Sequence, residues 1–94
     1  MPSTIRSYRA FEKELARAIA DLDALVANHH GEKDLVSIKR QLQALEQWTR
    51  GDTAPTLDQK GQLKFGLLAS RYLDDLDQEL AHRLYDLASY VTYW

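Results

Sequence analysis

The 94 residues include no cysteine, which excludes disulfides, thiolate metal sites and a cysteine nucleophile, and which fits a reducing compartment. Stability must come from packing alone. Only four glycines and two prolines are present, too little turn chemistry for a sandwich or barrel that reverses about every ten residues. Helices are the expectation. Long apolar runs are missing as well: Arg6, Arg9, Glu12, Lys13, Glu14 and Arg17 interrupt the first hydrophobic stretch, which is therefore neither a signal-peptide core nor a span of about 20 apolar residues. A cytoplasmic location without a membrane partner follows as the default. Excess positive charge is also absent. Twelve basic against fourteen acidic residues give a net charge of −2, which argues against nucleic acid as a partner.

What is present suits a globular chain: 45% hydrophobic and 28% charged residues, with enough length for one core, so residues 1–94 are expected to form a single domain. Tyr8, Phe11, Leu15, Ala18, Ile19, Leu22 and Leu25 recur at three-and-four spacing, which lines one face of a helix from about Thr4 to His29 with Ser3 as its N-cap. Asn28, His29, His30 and Gly31 read as its stop. A second series, Leu35, Ile38, Leu42, Leu45 and Trp48, predicts a helix over 33–49, ended by Gly51. Thr56 and Gln59 have the spacing of a capping box, with Asp58 favouring the positive helix end, and open a third helix over 57–74. Its apolar stripe is read as Leu57, Leu63, Leu67, Leu68, Tyr72 and Leu73. Gly61 and Gly66 each cost this helix about 1 kcal/mol relative to alanine, which close approach of another helix would offset. Asp75 or Asp77 then caps a last helix over 77–93 that carries Leu80, Leu84, Leu87 and Val91. Four amphipathic helices with short connections imply an all-α, compact antiparallel four-helix bundle.

The chemistry-bearing residues are sparse. Glu79 and His82 form a Glu-x-x-His pair at di-iron spacing, but the second pair and the two further glutamates that such a site needs are missing. His29 and His30 suit a helix end better than chelation. No nucleophile elbow and no glycine-rich phosphate loop exists, and a bundle this small leaves little room for a substrate pocket. No enzyme, no metal and no cofactor is expected.

Charge is distributed unevenly along the chain. From Tyr72 to Trp94, Asp74, Asp75, Asp77, Glu79 and Asp86 face a single Arg83, whereas the chain up to Arg17 holds four basic residues and two acids. Helix capping and a solvated face account for such a cluster by themselves. The neighbouring aromatics shift the balance, because Tyr72, Tyr85, Tyr90, Tyr93 and Trp94 cannot all enter a core already filled by leucines. Acids beside Tyr and Trp suit an interface that captures a basic partner. Arg71, Asp74, Asp75, Asp77 and Glu79 are the candidate polar residues of that surface. Tyr85, Tyr90, Tyr93 and Trp94 are its candidate anchors, with at least two of them expected to be core instead.

The run Ile38-x-x-Gln41-Leu42-x-x-Leu45, the turn at Pro55-Thr56, and the block Gly66-Leu67-Leu68-Ala69-x-Arg71-x-Leu73-x-x-x-Asp77-x-Glu79-Leu80-Ala81-x-x-Leu84-Tyr85 resemble small helical immunity proteins of bacterial type VI secretion, cognate to the effector whose toxin domain destroys NAD and NADP. The resemblance covers about the latter two thirds of the chain. It implies a non-enzymatic cytoplasmic inhibitor that binds the toxin and blocks its active site, a function in interbacterial competition. It supplies no individual binding residue. A structural or regulatory interaction module, such as an adaptor or a self-associating bundle, is the alternative, and a homodimer is compatible with either. A small metal carrier is a third reading, which would show bound iron or zinc.

Overall fold

A computed structural model describes residues 4–29 and 32–94, which fold entirely into helices and their connections. The helices are α1 (Tyr8–Asn28), α2 (Lys33–Trp48), α3 (Leu57–Gln62), α4 (Phe65–Leu68), which runs on into a π-helical turn (Ala69–Leu73), and α5 (Gln78–Thr92). Helix α1 packs against α2 and α5, α2 against α4, and α5 against α4 and the π turn, so four helical rods enclose one core. The all-α bundle expected from periodicity is the architecture found.

Helix α1 begins four residues later than its periodicity suggests. Ser7 is extended and its hydroxyl accepts from the Ala10 N–H at 3.1 Å, which makes it the N-cap. The preceding Thr4 instead donates to Asp86 of α5 at 3.1 Å, while Ile5 packs on the core, so this arm is held by the last helix. Ser3, His30 and Gly31 lie outside the described residues. Phe11, Leu15, Ala18 and Leu22 of α1 face Leu35, Ile38, Leu42 and Leu45 of α2 inside the core, and Lys39 pairs with Asp23 at 2.7 Å across the hairpin. Thr49 is buried, its hydroxyl satisfied by the Leu45 carbonyl at 2.8 Å. Gly51 and Asp52 then take left-handed φ values of 72° and 64° and turn the chain.

The third helix is not continuous. The capping box forms as its spacing predicts, with Gln59 N–H on the Thr56 hydroxyl and Thr56 N–H on the Gln59 side chain. The chain nevertheless breaks at Leu63, which is extended with ψ 118°. On either side of the break Leu63 and Phe65 both pack on the core while Lys64 between them is exposed. The Lys64 N–H freed by the break donates to the Gln41 side chain of α2. Beyond it the buried face consists of Phe65, Ala69 and Leu73, whereas Leu57, Leu67 and Tyr72 of the expected stripe are exposed. Gly66 does sit at a close crossing: a Cβ there would lie 3.1 Å from the Ala88 Cβ of α5. Gly61 does not, since nothing lies within 4 Å of the same position, and its place in the last turn of a short helix limits its cost.

Candidate functional site

The acidic segment occupies the turn between the π-helical residues and α5. Asp74 N–H donates to the Ala69 carbonyl five residues back at 2.9 Å, the hydrogen bond that defines the wide turn. Leu76 and Asp77 N–H groups both donate to the Leu73 carbonyl, at 3.0 and 2.8 Å, and so stop the helix with Leu73 in the core. Asp77 then starts α5: its Oδ1 accepts the Leu80 N–H at 3.0 Å. Of the two capping candidates, Asp77 has that role and Asp75 is exposed.

The four acids therefore differ in employment. Asp77 is a cap, Asp74 accepts the Tyr85 hydroxyl at 3.4 Å, and Asp75 and Glu79 point into solvent. Among the described residues, none of the four pairs with a cation within 4.0 Å. Arg71 is exposed on the π turn and leaves them unneutralised. The cluster thus presents a compact negative field at one end of α5.

The aromatic candidates divide into two groups. Tyr90 stacks on Phe11 with ring centroids 4.8 Å apart, and Trp94 meets Tyr90 at 5.2 Å, Phe11 at 5.3 Å and Tyr8 at 6.0 Å. These rings seal α5 against α1. Burial raises the Tyr90 hydroxyl above its ordinary pKa, and the Asp52 carboxylate adds to the shift. Tyr85 is half-buried beside the acids, with the His82 ring edge-on at 5.4 Å, and Tyr93 is exposed at the far end of the helix. The structure therefore brings Arg71, Asp74, Asp75, Asp77, Glu79 and Tyr85 into one region and places Tyr90, Tyr93 and Trp94 away from it.

Beside this region a groove of about 390 Å³ runs between α1 and α5, lined in part by Glu14, Glu79, His82, Arg83 and Asp86. Arg83 is one of its lining residues. Its guanidinium binds Glu14 at 3.2 Å and Asp21 at 2.6 Å, and so fastens α5 to α1. Glu79 and His82 share this groove, and no group of three metal-ligating side chains forms among the described residues. Sequence reasoning missed the Glu14–Arg83–Asp21 network, because its members are up to 69 positions apart and nothing local marks them. It also missed Leu67 and Leu76, exposed apolar residues flanking the acids. The available signal for Leu76 was a leucine set among three aspartates.

No helix of the described residues is long and apolar enough to cross a membrane. No curated protein and no solved structure matches the chain. Residues 11–92 match the Tsi6 family, and the positions that carried the earlier resemblance hold the architecture together: Ile38, Leu42, Leu45, Ala69, Leu73, Leu80, Ala81 and Leu84 are core, Gln41 secures the helix break, and Gly66 the crossing with α5. With that match over nearly all of the helical body, the chain belongs to the Tsi6 family, a family of type VI secretion immunity proteins.

Proposed function

We propose that this chain binds a cognate toxin domain and occludes its active site, and that the toxin degrades NAD or NADP in the cytoplasm that the chain protects. The observation that carries the reading is the set of four acids, Asp74, Asp75, Asp77 and Glu79, held at one end of α5 without cationic partners among the described residues. An enzyme acting on a phosphate-bearing dinucleotide gathers cationic groups around its pocket. Such a pocket mouth attracts the acidic turn, and carboxylates seated there compete with the phosphates of the substrate. The inhibitor needs no chemistry of its own. An interface of about 800 Å² per partner fits a surface of 6054 Å². Arg71 and Tyr85 lie within the same footprint and contribute hydrogen bonds and ring area.

The test is inhibition of the cognate toxin domain, read as the rate of NAD(P) consumption. One equivalent of the chain should abolish turnover, and Asp75→Lys/Glu79→Lys should restore it while leaving helicity unchanged. Asp77 is spared because its carboxylate caps α5. Undiminished NAD(P) consumption in the presence of excess wild-type chain would refute the proposal.

A further inference from the structure

The π turn sorts side chains in a way that an ordinary helix would not. In an α-helix residues four apart lie above one another, whereas the Ala69–Asp74 hydrogen bond closes over five. Tyr72 lies within this wide turn, and Leu67 lies in the helical turn of α4 just before it. Leu76 lies in the turn that follows, where its N–H donates to the Leu73 carbonyl. These three are 53%, 45% and 46% exposed, and they account for three of the five large apolar side chains left open to solvent among the described residues. The core face of the same segment is already supplied by Phe65, Ala69 and Leu73. Nothing in the fold therefore requires Leu67, Tyr72 and Leu76 to be apolar.

We infer that Leu67, Tyr72 and Leu76 form the apolar centre of the docking surface, with Asp74, Asp75, Asp77 and Glu79 as its acidic rim, and that its occupant is a cationic face of the toxin domain. This deepens the proposed function and rests on it. Charge selects the occupant. A second copy docking through the same patch about a two-fold axis would set one acidic rim against another. Nucleic acid and an anionic lipid surface are repelled by the same carboxylates. A positively charged protein surface satisfies both parts of the patch: the rim steers the encounter and desolvated Leu and Tyr side chains slow its dissociation.

The experiment is calorimetric titration of the catalytically inactivated cognate toxin domain with four forms of the chain at low and high salt. Tyr72→Ala and Leu67→Ala/Leu76→Ala should each weaken binding about tenfold or more, with unchanged melting temperature and an unchanged salt dependence, since the acids remain. Leu57→Ala, 86% exposed on α3 and outside the stripe, should bind as the wild type does. If the wild type binds and the stripe variants bind equally well, the stripe is not in the interface and this inference fails while the immunity reading stands. If the wild type does not bind the toxin domain at all, both fail. A dimer of the free chain that Tyr72→Ala dissociates would also overturn the inference, by giving the stripe another occupant.

Discussion

Replacing Gly66 by alanine tests whether the crossing of α4 and α5 is as close as its geometry states. The new Cβ would lie 3.1 Å from the Ala88 Cβ, and both atoms are fixed to helical backbone, so neither can rotate away. The helices must separate by a few tenths of an ångström, against the packing of Phe65 and Leu84. Overpacking of this kind costs about 1–3 kcal/mol. Alanine recovers up to about 1 kcal/mol through helix propensity. Gly61→Ala supplies the reference, because nothing lies within 4 Å of its Cβ position and its φ is not in the left-handed region. Gly61 in the last turn of α3 and Gly66 in the first turn of α4 both gain little propensity from alanine, so their difference isolates the clash. Urea unfolding should place Gly66→Ala about 1–3 kcal/mol below Gly61→Ala. At about 4–8 °C per kcal/mol, the separation is also readable by thermal melting. Ala88→Gly added to Gly66→Ala should recover part of the loss through a coupling that a double-mutant cycle measures. Equal stability of Gly66→Ala and Gly61→Ala would refute the account of the crossing.

Two further outcomes follow from the site. Asp77→Ala should destabilise the protein by about 1 kcal/mol through the lost cap on Leu80, with Asp77→Asn close to wild type and Asp75→Ala within about 0.5 kcal/mol, as chemical unfolding would report. Tyr90 holds its phenolic proton above the ordinary pKa of 10.0, so the folded state binds that proton more tightly than the unfolded chain. Its contribution is complete below the unfolded value and disappears as pH rises through the higher folded one. Tyr90→Phe should accordingly reduce the loss of stability on the alkaline side of pH 10, and an unaltered slope there counts against the burial argument.

The long helices were legible because their cores are local patterns. Phe11, Leu15, Ala18 and Leu22, then Leu35, Ile38, Leu42 and Leu45, repeat at helical spacing and are buried. The capping box at Thr56 and Gln59 and the cap at Asp77 were legible for the same reason, since each closes over three residues. The helix break at Leu63 was not. Its freed N–H is satisfied by Gln41, 23 positions upstream, and no local pattern announces that partner. The π turn escaped notice because Phe65, Ala69 and Leu73 are spaced four apart, which reads equally well as an α-helix. Ser7 is a capping residue by type, but only the Ala10 N–H that donates to its hydroxyl shows that α1 starts there. For the surface, the concentration of acids could be read from the chain, but the removal of Tyr90 and Trp94 into a cluster with Phe11 depends on contacts about 80 residues apart.

That cluster joins the first helix to the last, and it has a consequence for the order of events during synthesis. A ribosome releases Phe11 early, yet the rings of Tyr90 and Trp94 that cover it are made about 80 residues later. Until then one wall of the core is open, and α1 and α2 form only a hairpin with an apolar flank. Arg83 arrives just as late to meet Glu14 and Asp21. A nascent chain therefore gains its full shelter from proteases in a single closing step, and one cut short before α5 never reaches it.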